Sequence, residues 1–169
     1  MEVVTETPRL NIRKFTEADA GFIFQLLNSK GWLEFIGDRN IKTLEDARLY
    51  IVNAPLFSYH KFGFGPYLVS LKDTNTAIGM CSLIKRDELE DVDLGFALLE
   101  EYAGKAYAYE ASEAVVLHAK KDLGIKKLVA ITKKTNTSSV RLLEKLGFTF
   151  GNIIKMGEEE LLYFSYSLI

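Results

Sequence analysis

The chain has 169 residues, 48% of them hydrophobic and 26% charged, which suits one globular domain over residues 1–169 with a real core and argues against intrinsic disorder or a fibrous repeat. With 21 basic and 23 acidic side chains the net charge is −2, too little positive charge to hold a phosphate backbone, so nucleic acid is not an expected partner. One cysteine and two histidines make neither a disulfide nor a transition-metal cluster, and no targeting segment or ~18-residue apolar run is read, so the expectation is a cytoplasmic protein without metal or membrane.

Residues 9–15 place Leu10 and Ile12 in alternation and predict a strand. Thr16 with Asp19 is a capping pair that opens a helix, where Phe22, Ile23, Leu26 and Leu27 keep helical spacing until 28–31. Thr43 with Asp46 repeats the signal, and Ala47, Tyr50, Ile51 and Ala54 carry a second helix until Pro55 interrupts or bends it. From Phe64 onward β-branched and aromatic runs take over: 67–71, a turn at 72–75, 77–85, a polar break at 87–90, then 92–99, which together make an antiparallel meander. A long Ala-rich helix follows over 106–123 with Gly124 as its stop, then a short buried strand at 128–132. A helix over 136–146 stopped by Gly147 and a closing hairpin, 148–156 with 161–168, complete the order β-α-α-βββ-α-β-α-ββ. There is no linker and no fixed-period repeat.

The junction at 98–108 joins a buried strand to a helix that opens on small residues. A helix start offers unpaired N–H groups and the positive end of the dipole, and Lys105 adds a cation, so the turn suits a phosphate; a tight turn with a solvated lysine is the plain alternative. A Walker loop is excluded, because Leu99 and Ala106 stand where it needs glycine and Ser or Thr. The dinucleotide fingerprint needs three glycines here and only Gly104 is present.

The order of elements, this turn, the opening Thr7-Pro8-Arg9-Leu10 with Ile12 and Arg13, and the stretch Asn136, Ser139, Leu142, Glu144, Lys145, Gly147, Phe148 together resemble the GNAT N-acetyltransferase family from about Thr7 to Ile169. The nearest branch is that of the ribosomal-protein N-terminal alanine acetyltransferases. The resemblance implies an α/β fold with a mixed, splayed sheet of six or seven strands and helices on both faces. It also implies acetyl-CoA as cosubstrate and a primary amine, on a protein N-terminus or a small molecule, as acceptor.

Carried over by position, the family's pyrophosphate turn falls on Ala103, Gly104, Lys105, Ala106, Tyr107 and Ala108. Ala103 replaces a polar or bulky residue and Ala106 replaces the central glycine. With ordinary helical dihedrals alanine is tolerated at Ala106 and stiffens the turn, whereas a positive φ would compromise the site; tolerance is expected, because Gly104 and Ala108 keep the turn small. The backbone of Phe96, Ala97 and Leu98 is implied to pair with the pantetheine arm, with Gly95 a natural place for a bulge or close approach, although the same residues would also make plain core. Attack on a thioester needs a neutral amine, so a base is required. Asp93 stands where the family often carries an acid, on the strand face of Gly95 and Ala97; a solvated strand-end acid is the alternative. Ser139 holds the position of the donor to the leaving thiolate, and Asn136 that of a pantetheine contact, while both are equally suited to capping a helix.

Cys81 reads as core, and His118 as packed or half-exposed rather than as a base. Acceptor walls are expected at 30–41 and 59–67, with Trp32, Phe35, Tyr59, Phe62, Phe64, Glu34 and Asp38 in them and His60 beside them. The alternatives are a non-catalytic acyl-CoA-binding or sensing module, which the departures at Ala103 and Ala106 suggest, and a dimerisation domain built on the apolar strand 161–169. Either a monomer or a homodimer fits an enzyme.

Overall fold

The computed structural model describes residues 2–169. Its strands are β1 (Val3–Glu6), β2 (Leu10–Lys14), β3 (Pro66–Leu71), β4 (Ala77–Ile84), β5 (Val92–Leu98), β6 (Lys127–Thr132), β7 (Thr149–Met156) and β8 (Glu159–Ser167). They form one sheet in the order β1-β2-β3-β4-β5-β6-β8-β7, antiparallel except where β5 meets β6. The sheet is mixed and splayed as the resemblance implies, but it has eight strands rather than six or seven. The extra one, β1, folds back on β2 through a turn at Thr7, whose hydroxyl accepts from the Leu10 N–H at 2.9 Å.

Two apolar layers flank the sheet. On one face α1 (Ala20–Leu27) and α3 (Leu44–Ile51) bury Ile23, Leu26, Ala47 and Ile51 against Leu68 and Met80. On the other, α5 (Tyr107–Lys121) buries Ala111, Val115 and Ala119, and α6 (Thr137–Leu146) buries Leu143, against Leu10, Ile78 and Leu94. The alternation along β5 is the expected one: Leu94, Phe96 and Leu98 join the α5 layer and Ala97 the α1 layer.

The capping pairs form, with the Asp19 carboxylate accepting from Thr16 N–H at 2.8 Å and Asp46 N–H donating to the Thr43 hydroxyl at 3.0 Å. Pro55 does not end its helix: a π turn over Val52–Leu56 absorbs the missing donor and the chain continues into α4 (Phe57–Phe62). A short helix missing from the sequence reading, α2 (Lys30–Phe35), begins after the first helix ends and carries Trp32.

Two features of β5 shape the site. It pairs with β6 only at Val92↔Leu128 and Asp93↔Val129, after which β6 keeps to β8 and the β5 edge over 94–98 has no strand partner. No bulge occurs at Gly95, which stays in register with Ser82. The close approach is one strand over at Gly79, where a Cβ would lie 2.5 Å from the Ala97 carbonyl oxygen and from Leu98 Cδ2. Only glycine lets β4 press this closely against the part of β5 that faces the gap.

Candidate active site

Where β5 and β6 part, a cleft of about 940 Å³ runs from the start of α5 to α2, a volume suited to a ligand of cofactor size. Of the residues singled out from sequence, Asp93, Phe96, Ala97, Leu98, Gly104, Ala106, Tyr107, Ala108, Asn136 and Ser139 all line it. Lys105 is exposed and is not among the lining residues; its backbone belongs to the turn.

The turn corrects the reading of Ala106, which is not helical. Its φ of +64° and ψ of 16° are left-handed, as is Gly104 at φ +77°. An alanine there costs ~1–2 kcal/mol, yet the sign of φ alternates over Gly104, Lys105 and Ala106, the kind of alternation from which anion nests are built. Ala106 is also the N-cap of α5 and has no side-chain oxygen to offer, so the first-turn N–H groups are left without a side-chain cap. The small residues at 103–108 leave this surface open, with nothing within 4 Å of where a Gly104 Cβ would sit. The turn therefore presents backbone donors to the cleft, as an anionic group needs.

Asp93 is the last residue of β5 paired with β6 and is only 2% exposed. Its Oδ2 accepts from Arg86 Nε at 2.7 Å, while Oδ1 has no hydrogen-bond partner among the described residues. Burial pushes this carboxyl up from 3.8 to about 6, against the pull of the Arg86 charge and hydrogen bond. It is thus not the solvated strand-end acid of the alternative reading. Arg86 went unnoticed in the sequence, although the hairpin register Ile84↔Asp93 puts it two residues past the partner of Asp93.

Across the cleft Asn136 caps α6, its Oδ1 accepting from Ser139 N–H at 3.2 Å. Ser139 is 8% exposed and its hydroxyl bonds to no group among the described residues. The cap fixes the first turn of α6 and leaves that hydroxyl available.

Of the expected acceptor walls, Trp32, Phe35 and Glu34 line the cleft. Tyr59 does not; its hydroxyl accepts from the Phe15 N–H and donates to the Pro66 carbonyl, and its ring stacks on Tyr67. Phe62 and Phe64 stack on each other away from the cleft, and Asp38 faces Lys42. Another wall residue missed from sequence is Lys133, which donates to the Glu34 carbonyl at 2.9 Å and so ties the end of β6 to α2. Cys81 is fully buried beside Ser112, its thiol pushed up to about 12 by burial, and His118 bonds Asp122 outside the cleft; neither serves chemistry there. Among the described residues no cluster of His, Cys, Asp or Glu is arranged for a metal, and no helix is long and apolar enough to cross a membrane.

Comparison with known proteins agrees with this geometry. The uncharacterized N-acetyltransferase YnaD of Bacillus subtilis (strain 168) is 25% identical over 141 residues, which cover 83% of this chain and 79% of that protein. The ribosomal L7/L12 α-N-protein acetyltransferase RimL, solved in complex with coenzyme A, superposes with a TM-score of 0.85 at 18% identity over 98% of both chains. The ribosomal-protein-S5-alanine acetyltransferase of Vibrio fischeri superposes with a TM-score of 0.81 at 20% identity over 96% of this chain and 95% of that one. The family model of the GNAT acetyltransferase domain matches residues 9–149. With a GNAT cleft between parting strands and that match over most of its length, the chain belongs to the GNAT acetyltransferase family and is an enzyme that moves an acetyl group to an amine.

Proposed function

We propose that residues 1–169 act as one acetyl-CoA-dependent N-acetyltransferase domain in the cytoplasm, acetylating a primary amine by direct attack on the thioester. The observation that carries this reading is the meeting, in one cleft, of the unpaired β5 edge, the left-handed turn and the buried carboxyl of Asp93. The N–H groups about Gly104, Ala106, Tyr107 and Ala108 suit a pyrophosphate. The free backbone of Phe96, Ala97 and Leu98 suits strand-like pairing with the amides of a pantetheine arm, and Asn136 offers an amide from the other wall.

In the reaction the amine nitrogen forms a bond to the acetyl carbonyl carbon and the carbon–sulfur bond breaks. The amine gives up its proton to Asp93, for which Oδ1 is the unbonded oxygen, directly or through a water. The departing thiolate belongs to a thiol with a pKa of about 8.5, so a hydroxyl donor such as Ser139 is enough to assist it. An acid near 6 is closer to an α-amino group, about 8, than to a lysine side chain, about 10.4, so an N-terminal α-amine costs less to deprotonate here. RimL and the Vibrio fischeri protein are by their names acetyltransferases of ribosomal proteins, which points the same way. A small-molecule amine is the second candidate.

Calorimetric titration with acetyl-CoA, followed by mass spectrometry on peptides with a free N-terminus, N-terminally blocked lysine peptides and polyamines, tests the proposal. We expect one-to-one heat and acetylation of the free α-amine. No binding would sink the acetyl-CoA reading; binding with no product from any amine would favour the acyl-CoA-binding module instead.

A further inference from the structure

The opening Thr7-Pro8-Arg9-Leu10 has no part in the cleft, yet its side chains close on the turn that starts α5. Arg9 reaches three groups there. Its Nη2 donates to the Lys105 carbonyl at 3.0 Å, its Nε donates to Glu110 Oε1 at 2.7 Å, and its guanidinium carbon lies 4.3 Å from the centre of the Tyr107 ring. Glu110 Oε2 accepts from the Thr7 hydroxyl and from the Arg9 N–H, so this carboxylate holds the N-terminal segment by both side chain and backbone. The Glu110 N–H meanwhile donates to the Ala106 carbonyl at 3.0 Å.

Both carbonyls that bracket Ala106 are therefore held, that of Lys105 by the Arg9 side chain and that of Ala106 by the Glu110 backbone. Because the peptide unit is planar, fixing the Lys105 oxygen also fixes the direction of the Ala106 N–H at its other end. This matters at Ala106 more than elsewhere, since an L-residue in the left-handed region stays there only when its surroundings over-determine it. If that peptide rotates, its N–H leaves the nest.

We infer that Arg9 and Glu110 form a clasp that holds the Ala106 peptide in its anion-receiving orientation, making Arg9 a positioning residue for acetyl-CoA although it lies outside the cleft. The inference rests on the reading of the turn as the acetyl-CoA pyrophosphate site. The Arg9 and Glu110 side chains are 44% and 20% exposed, and ion pairs so placed contribute little to global stability. Affinity and stability should therefore separate when the clasp is opened.

The test compares wild type with Arg9→Ala, Arg9→Lys and Glu110→Gln, measuring the acetyl-CoA Kd by calorimetry, KM and kcat on a common amine, and Tm. For Arg9→Ala we expect Kd and KM for acetyl-CoA to rise about tenfold, the factor that corresponds to about 1.4 kcal/mol, with kcat within about twofold and Tm nearly unchanged. Arg9→Lys should recover only part of the loss, because a lysine is a point charge and cannot serve the carbonyl and the carboxylate with a planar fork. Glu110→Gln keeps an acceptor for Arg9 and should fall between wild type and Arg9→Ala. Wild-type affinity in Arg9→Ala and Glu110→Gln alike would overturn the clasp, as would a fall in Tm and kcat with KM unmoved, which is the mark of a merely structural tie. Failure of the wild type itself to bind acetyl-CoA would instead remove the pyrophosphate site beneath it.

Discussion

Replacing Asp93 with asparagine separates its chemistry from its cost. The carboxyl is buried at 2% exposure, and burial lifts it from 3.8 to about 6 against the pull of Arg86. The folded chain therefore holds this proton more tightly than the unfolded chain, by an amount worth about 3 kcal/mol. Its sign follows directly: the group favours the fold fully below about 3.8, and that contribution is lost as the pH rises through about 6. At pH 7.5 the fold carries an ionised carboxylate in a poorly hydrated site, with Arg86 Nε on Oδ2 as its one side-chain hydrogen-bond partner among the described residues. Asparagine is the isostere of the protonated acid and still offers Arg86 an oxygen, while the Arg86 side chain, 32% exposed, recovers hydration at little cost. At pH 4.5, where most of the unfolded carboxyl is already ionised, urea unfolding should find Asp93→Asn ahead of wild type by about 1 kcal/mol, and by pH 7.5 that lead should grow to about 3 kcal/mol, a change of about 2 kcal/mol between the two. Activity should move the other way: kcat/KM should fall about 10²- to 10⁴-fold, and the acidic limb near pH 6 should vanish. Acetyl-CoA affinity should be retained. A variant with wild-type kcat/KM and an unchanged pH profile would refute Asp93 as the proton acceptor, and a stability difference that does not change between the two pH values would refute the raised pKa.

Three further substitutions probe the walls. Ala106→Gly removes the ~1–2 kcal/mol left-handed cost against ~0.5–1 kcal/mol of added chain freedom, so denaturant melts should show equal or higher stability with equal or tighter acetyl-CoA binding; a loss beyond ~0.5 kcal/mol, as for a glycine inside a helix, would contradict the turn. Gly79→Ala puts a Cβ 2.5 Å from the Ala97 carbonyl oxygen and should cost ~1–3 kcal/mol, read as a fall in Tm of several degrees with a weaker acetyl-CoA Kd. Ser139→Ala leaves the Asn136 cap to its backbone N–H intact, so Tm should hold while kcat falls with KM for acetyl-CoA unchanged; a kcat equal to wild type would remove the hydroxyl from the leaving-group step.

Local patterns made most of the fold legible. The Thr16 and Thr43 caps, the β3–β4–β5 meander and the Ala-rich α5 rest on short-range periodicity and capping chemistry, and each stands where its spacing put it. What was missed depends on packing against a neighbouring element, which short-range pattern does not announce. β1 is four residues long and becomes a strand only because β2 offers it an edge, and α2 is six residues held by burial of Trp32 rather than by propensity. The candidate site divides in the same way. Asp93, Asn136 and Ser139 were singled out by the family resemblance, with alternation adding only the face of Asp93, whereas Arg86 needed the hairpin register and Arg9 a partner about a hundred residues away. Lys105 drew attention as a lysine beside a helix start; in the fold its carbonyl accepts from Arg9 and the residue is exposed.

Ala106 shows how local reasoning fails at the proposed cofactor turn. Judged by propensity, alanine belongs inside a helix and is among the poorest N-caps, so extending α5 through it is the natural reading. The fold instead stops the helix there, accepts a left-handed alanine and leaves the first-turn N–H groups without a side-chain cap. A serine or aspartate cap would satisfy those donors and stabilise the helix by ~1 kcal/mol, but it would occupy the surface that an anion needs. The local rule is broken at the point where β5 has also given up its strand partner, and two independent departures from backbone satisfaction facing one cleft are best explained by a ligand that satisfies both. The two walls differ in the same respect: the Asn136 side chain caps the start of α6, whereas the start of α5 has no side-chain cap.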